Sequence, residues 1–97
     1  MPKHKKDKQG RDKQRYASHQ QRINILKRDS FQCQYCGMAV TLQSANIDHV
    51  KPWKFGGRTL GKNLVTACRR CNEKKGNRTD MIPLGLKKGK SIELFSD

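Results

Sequence analysis

The apolar residues of this chain lie in short groups separated by polar and glycine-rich stretches. The motif SHQQ at residues 18–21 has the form of a capping box, in which a serine caps a helix and a glutamine three residues later bonds back to it. We therefore predict a helix of about ten residues that ends near Asp29. Its apolar positions place Ile23 and Leu26 toward the core.

Two further apolar segments predict short strands. Residues 45–50 alternate between apolar and polar side chains, and residues 64–67 form a second apolar run. Between them, residues 51–62 contain one proline and three glycines, which indicates a long loop. Residues 71–75 are helical in pattern, and Gly76 is placed to end that helix.

The two ends of the chain carry weaker structural signals. The first 17 residues contain seven basic and two acidic side chains and only three apolar ones, which is typical of a disordered basic arm. All predicted elements of the folded domain fall within residues 18–80. Residues 81–97 are interpreted as a C-terminal extension of undetermined structure, with a strand pattern at residues 91–95.

The charge of the chain points to its partner. Its 97 residues carry 22 Lys and Arg against 8 Asp and Glu, a net charge of +14. Because the part after residue 17 contributes +9 of this charge, the folded domain itself is basic, which favours a polyanion such as nucleic acid. No apolar run approaches the roughly 20 residues that cross a membrane, and the N-terminus has no apolar h-region of a secretory signal. We expect a cytoplasmic protein that does not bind membranes.

The four cysteines form two pairs with the same spacing, Cys33 with Cys36 and Cys68 with Cys71. Two residues between thiols allow both sulfurs to face one point, so two such pairs supply a tetrahedral thiolate site. Without a secretory signal, zinc is favoured over two disulfides, and a redox motif does not need two matched copies. Since four protein ligands close the site, the Zn²⁺ would be structural, and it would help to stabilise so small a domain.

A second set of polar residues lies between and after the cysteine pairs. Asp48, His49, Asn63 and Asn72 come from different predicted elements, and Asp48, His49 and Asn72 can converge on one side of the hairpin. Carboxylate and amide oxygens suit Mg²⁺ or a similar hard cation. A neighbouring histidine that binds no metal can take a proton from water. Together these groups suit metal-assisted phosphodiester hydrolysis.

In these motifs the chain resembles the HNH endonuclease family, of the small phage or bacterial type. The matching segments are RD at 28–29, CQYCG at 33–37, DHVKP at 48–52, GG at 56–57, NLV at 63–65, CRRCN at 68–72 and KKGNR at 74–78. The resemblance covers about residues 22–79. It implies an α+β fold: a small ββα-metal core stapled by the four-cysteine zinc site and preceded by the helix and the arm.

The resemblance also implies a role for each polar residue. His49 would be the general base that activates water, and Asp48 would bind the catalytic metal ion. Asn63 would fix the loop and orient the His49 ring. Asn72 stands where the family name has its last histidine and would be the second metal ligand, which favours Mg²⁺ or Mn²⁺. The implied reaction is hydrolysis of DNA with one divalent ion.

Basic side chains around these motifs are expected to grip the DNA backbone without reading its sequence. They are Lys51, Lys54, Arg58, Arg69, Arg70, Lys74, Lys75 and Arg78. The alternative is a non-catalytic zinc-knuckle protein that binds DNA or RNA, since charge and zinc fit both functions. The sequence does not determine the specificity of cleavage, or whether a protein partner supplies it. It also leaves open the oligomeric state and whether one or both DNA strands are cut. In a bacterial host, the protein could be nucleoid-associated or phage-encoded.

Overall fold

Two helices and a two-stranded sheet make up the regular structure of residues 10–84, the part of the chain that this computed structural model describes. Two short 3₁₀ turns lie in the loop between the strands. In chain order the elements are α1 (His19–Arg28), β1 (Asn46–His49), the turns Trp53–Phe55 and Gly61–Asn63, β2 (Leu64–Ala67) and α2 (Arg69–Lys75). The predicted α+β class with a ββα core is confirmed. No helix in residues 10–84 has the length and apolar character needed to span a bilayer.

Helix α1 begins and ends where the sequence predicts. The Ser18 hydroxyl accepts a hydrogen bond from the Gln21 amide, and the Gln21 side chain accepts one from the Ser18 amide, so the capping box is complete. Leu26 is fully buried as expected, but Ile25 is buried with it, and Ile23 remains half-buried. The core therefore takes two consecutive residues near the C-terminal end of α1.

The end of α1 is locked to strand β2 by a charged pair. The buried Asp29 carboxylate accepts a hydrogen bond from the Thr66 amide at 2.8 Å and pairs with Arg28 at 2.8 Å. Arg28 also donates to the carbonyls of Gly61 and Leu64. Because the buried Asp29 carboxylate has both a cation and an amide as partners, this arrangement fixes β2 against α1 without leaving an uncompensated charge.

The two strands pair antiparallel, with Asp48 opposite Val65 and His49 opposite Leu64. All four residues of β2 are buried. Val65 and Ala67 belong to a core cluster that also contains Cys33, Cys68 and Cys71, whereas Cys36 is exposed. Helix α2 begins at Arg69, two residues before the predicted start. The reason is that Cys68 acts as its N-cap, with the sulfur accepting from the Cys71 amide.

Residues 10–17 correct the expectation of a disordered arm. Asp12 is 1% exposed, its carboxylate accepts a hydrogen bond from the Thr59 amide at 3.0 Å, and its carbonyl accepts one from the Trp53 indole at 2.6 Å. This segment is thus packed on the loop between the strands. Amino-acid composition does not predict this packing, because one acidic residue, Asp12, makes these contacts within a mostly basic segment. Residues 1–9 and 85–97, including the predicted strand at 91–95, lie outside the described residues.

Candidate active site and metal centre

An open cleft of about 400 Å³ lies where β1 ends beside α2. Asp48 and His49 line it from β1, and Asn72 lines it from α2, so the structure brings together the three residues that the sequence predicts to converge. Lys54 from the loop and Arg15 from the N-terminal segment also line it. Asn72 is half-buried and directly follows a cysteine of the second pair, which fixes its position on the helix.

Asp48 is a buried carboxylate with one oxygen already occupied. Its Oδ2 accepts a hydrogen bond from the Tyr35 hydroxyl at 2.5 Å and lies 3.2 Å from the Lys75 ammonium. Burial raises the pKa of Asp48, while Tyr35 and Lys75 act in the opposite direction. Burial beside the Asp48 carboxylate also raises the pKa of Tyr35, which keeps its hydroxyl a donor. Both contacts use Oδ2, so Oδ1 is the oxygen with which Asp48 can bind a cation.

Lys75 corrects the predicted set of DNA-binding residues. Its side chain has no exposed surface, and its ammonium donates to the His49 carbonyl at 2.8 Å in addition to pairing with Asp48. A phosphate outside the protein cannot reach this group. Lys75 is an internal cation that ties α2 to the end of β1, next to the candidate catalytic residues.

His49 is held through its Nε2 atom, which lies 2.9 Å from the Thr59 hydroxyl oxygen. The Thr59 hydroxyl also bonds to the Gln14 carbonyl, which can only accept. Since a hydroxyl has one hydrogen, Thr59 donates to Gln14 and accepts from His49, and this pattern assigns the ring hydrogen to Nε2. Burial, with the positive charge of Lys75, lowers the pKa of His49 to about 4. The ring is therefore neutral at pH 7, with Nδ1 as its basic nitrogen.

Asn63 fastens the two ends of the loop that follows β1. Its Oδ1 accepts from the Lys51 amide at 2.9 Å, and its Nδ2 donates to the carbonyls of Lys51 and Arg58. Its carbonyl also accepts from the Val50 amide. These contacts suit the loop-fixing role that the resemblance implies. The ring of His49, however, is contacted by Thr59, a residue that sequence reasoning missed.

Neither Thr59 nor Asp12 carries a sequence signal of its own. Thr59 lies in a glycine-rich loop, and Asp12 lies in a basic stretch, 47 residues away from it along the chain. Only their contacts show that Asp12 holds the Thr59 amide while Gln14 holds its hydroxyl.

The four cysteine sulfurs form one cluster, within 4.8 Å of one another. The Sγ atoms of Cys36 and Cys68 are 3.8 Å apart. A tetrahedral ion with bonds of about 2.3 Å to sulfur places its ligands about 3.8 Å apart, so the cluster fits such an ion. Although burial opposes ionisation of Cys33, hydrogen bonds from the amides around it lower the pKa of its thiol to about 7. The group is a candidate metal centre.

The other predicted DNA-binding residues are exposed or half-buried at the protein surface. Arg69 pairs with Glu73 and Arg78 pairs with Asp80, both at the surface. Arg58 is half-buried, and the exposed members of the predicted set are Lys51, Lys54, Arg69, Arg70, Lys74 and Arg78. Of all of them, only Lys54 lines the cleft of Asp48 and His49.

Comparison with known proteins finds similarity in the central part of the chain. The family profile described as "HNH endonuclease" matches residues 33–78. The CRISPR-associated endonuclease Cas9 of Corynebacterium diphtheriae is 40% identical over 57 residues, which are 58% of this chain and 5% of that protein.

Two solved structures are similar to parts of this chain. The crystal structure of the Type II-C Cas9 enzyme from Actinomyces naeslundii is 31% identical over 59% of this chain and 6% of that one, with a TM-score of 0.49. The Type IV phosphorothioation-dependent restriction endonuclease ScoMcrA is 22% identical over 68% of this chain and 16% of its own, with a TM-score of 0.50. The chain thus spans a small part of each of these proteins, and the last likeness is one of fold.

Proposed function

We propose that this protein is a nuclease that hydrolyses DNA phosphodiester bonds with one divalent metal ion and with His49 as general base, because residues 33–78 match the HNH endonuclease family. The observation that carries the proposal is the state of His49. Its Nε2 hydrogen is used by Thr59, so the basic Nδ1 remains for water in the cleft shared with Asp48 and Asn72. A neutral imidazole beside hard oxygen ligands is the arrangement that water activation requires.

Asp48 and Asn72 are the residues that would hold the catalytic ion. One carboxylate oxygen and one amide oxygen favour Mg²⁺ or Mn²⁺ over ions that prefer imidazole or thiolate. When bound there, such an ion supplies stabilisation of the negative charge that develops on the phosphate and the leaving oxygen. The four cysteines would hold a structural Zn²⁺, since their closed set of thiolates leaves no position for substrate.

The proposed reaction is an in-line attack of water on phosphorus, in which the bond from phosphorus to the leaving 3′ oxygen breaks and that oxygen takes up a proton to become a hydroxyl. His49 Nδ1 takes the proton of the attacking water, and the Thr59 oxygen accepts a hydrogen bond from the ring throughout the step. Burial, together with the nearby Lys75, lowers the pKa of His49, so the base is unprotonated at neutral pH. Exposed basic side chains such as Lys51, Lys54 and Arg70 would hold the DNA backbone.

The test is cleavage of supercoiled plasmid with Mg²⁺ or Mn²⁺. We expect the wild-type protein to produce open-circle and linear DNA. The cleavage rate of His49→Ala should be lower by a factor of about 100 or more, which is the lower end of what a general base contributes. His19→Ala is the matched control, because His19 is an exposed histidine on α1, and it should cut at the wild-type rate. The ratio of open-circle to linear product reports nicking against double-strand cutting.

Two results would contradict the proposal. Equal cleavage by His49→Ala would remove His49 as the base. A wild-type protein that shifts DNA in a gel but cuts neither DNA nor RNA with any divalent ion would instead support the non-catalytic binding function. Sequencing the cleaved ends tests specificity, which we expect to be low unless a protein partner supplies it.

A further inference from the structure

The segment of residues 10–17 forms part of the wall of the catalytic cleft. Asp12 anchors it through the Thr59 amide and the Trp53 indole, and the Gln14 carbonyl accepts from the Thr59 hydroxyl. The Gln14 side chain also donates to Gln21 of α1 at 2.7 Å. These contacts join the segment to both the loop and the first helix, so the side chains next to Asp12 have defined positions at the cleft.

Two arginines of this segment lie over one aromatic ring in that wall. The guanidinium carbons of Arg11 and Arg15 are 4.7 and 4.8 Å from the centre of the Trp53 ring, and Arg15 is also 5.3 Å from the ring of Tyr16. Stacking on an aromatic ring holds the planar guanidinium in one orientation, which reduces the entropy lost when it bonds to an anion.

The charges around the cleft favour an anion at this point. Arg11, Arg15 and Lys54 line it, and its one carboxylate, Asp48, already faces the Lys75 ammonium. Lys13 and Arg15 are both exposed residues of this segment, but Lys13 does not line the cleft. The positive charge is thus concentrated beside His49 by the arginines that stack on Trp53.

We propose that Arg15, with Arg11 beside it, binds a phosphate of the nucleic-acid backbone next to the bond that is cut, with Trp53 as its stacking platform. This inference rests on the proposed function, because it concerns the substrate of the same cleft. It assigns the N-terminal segment, which lies outside the matched residues 33–78, to substrate binding. Arg15 would position the strand, and it would take no part in the proton transfer.

The experiment compares Arg15→Gln with Lys13→Gln, which removes the same charge from the same segment. Binding of a fluorescent DNA duplex is measured by anisotropy without added divalent ion, over about 50 to 200 mM salt. We expect Arg15→Gln to raise Kd about fivefold or more, and to reduce the slope of log K against log salt by about 0.9, the value for one phosphate contact. Lys13→Gln should change Kd less than twofold and leave the slope unchanged.

Arg15→Lys keeps the inference testable if the glutamine variant folds poorly. It retains the charge but not the planar stacking, so the salt slope should stay near that of the wild type while Kd rises. Equal effects of Arg15→Gln and Lys13→Gln, or an unchanged slope in Arg15→Gln, would overturn the inference. If the wild type cuts DNA and these results still appear, the proposed function stands and only this inference fails. A wild type that neither binds nor cuts nucleic acid removes both.

Discussion

The Thr59 hydroxyl accepts a hydrogen bond from Nε2 of His49 and donates one to the Gln14 carbonyl. One small side chain thereby sets both the orientation and the tautomer of the candidate base. Because Thr59 is held in turn by Asp12, the state of His49 depends on a residue 37 positions before it in the chain. The active site therefore extends beyond the short motifs that predict it.

Replacing Thr59 with valine should reduce kcat more than it changes KM. The valine keeps the shape of the side chain but removes the oxygen, so Nε2 of His49 loses its acceptor and the ring its fixed tautomer. We expect kcat to fall about 10- to 100-fold, a part of the 10²- to 10⁴-fold that a general base supplies. Thr59→Ser retains the oxygen and should stay within about threefold of the wild type.

Nitrogen NMR of the His49 ring provides a second measurement of the same relationship. The wild-type protein at pH 7 should show hydrogen on Nε2 and a bare Nδ1, and Thr59→Val should show a mixture of both tautomers. A valine variant with wild-type kcat and an unchanged ring spectrum would show that Thr59 does not position His49.

Replacing Lys75 with methionine should lower the stability of the fold. Any loss of DNA binding should follow from that instability and not from a lost contact with DNA. The ammonium is buried against Asp48 and the His49 carbonyl, so its removal leaves a buried carboxylate without its cation. Breaking such a pair costs about 3–5 kcal/mol of unfolding free energy, measurable by urea denaturation. Lys74→Met is the matched control, because Lys74 is the exposed neighbour on α2. A stable Lys75→Met protein with weakened DNA binding would restore Lys75 to the DNA-binding set.

The elements of this fold follow from local sequence, and its long-range contacts do not. The capping box before α1 and the apolar run of β2 each act within a few residues, so their bounds could be predicted closely. The start of α2 was misplaced because Cys68 is both a metal-ligand candidate and a helix cap. Burial of Lys75 could not be foreseen either, since a lysine in a basic helix has the same pattern whether it faces solvent or core.

The candidate site shows the same division. Asp48, His49 and Asn72 could be brought together from motif order alone, because the hairpin and the helix that carry them are adjacent in sequence. Asp12 joins the site across 47 residues, by hydrogen bonds that need the folded backbone of Thr59. Charge composition predicts a disordered arm for its whole segment, because it does not register the contacts by which Asp12 and Gln14 hold residues 10–17 on the loop and on α1.

Replacing Cys36 with serine should destabilise the protein although this residue is exposed. If the four thiolates hold Zn²⁺, each contributes to folding whatever its burial, and three ligands bind the ion far more weakly. We expect about one zinc per wild-type chain by atomic absorption, and zinc loss with a lower Tm in Cys36→Ser. Met38→Ser is the control, since Met38 is 52% exposed in the same turn and binds no metal.

Removing Zn²⁺ with a chelator should unfold the wild-type protein, and added Mg²⁺ should not refold it. This result would distinguish the structural ion from the catalytic ion. A zinc-free protein that keeps its Tm, or a Cys36→Ser variant as stable as Met38→Ser, would show that the cysteine cluster does not need a metal ion.

Replacing Gly57 with alanine should disrupt the loop that carries Thr59. A Cβ at this position would overlap the Lys51 carbonyl oxygen and would lie 2.7 Å from its carbon and 2.9 Å from Nδ2 of Asn63. Since these atoms belong to the bonds by which Asn63 closes the loop, the loop must open to admit the methyl group. We expect a loss of about 3 kcal/mol or more in urea denaturation, at the upper end of overpacking costs, together with loss of cleavage.

Gly56→Ala is the control for Gly57→Ala. Gly56 is the neighbouring residue, but a side chain there would strain the backbone conformation and would not collide with Lys51. Gly56 has a φ of +91°, but a Cβ at this position would overlap no atom, because the nearest one, the Gly10 carbonyl oxygen, lies at the van der Waals distance of 3.7 Å. Its replacement should cost about 1–2 kcal/mol, the price of a left-handed conformation for a residue with a side chain. If both alanine variants lost the same stability and kept the same activity, backbone conformation alone would explain the two glycines, and the close approach of Lys51 to Gly57 would have no part in holding the catalytic loop.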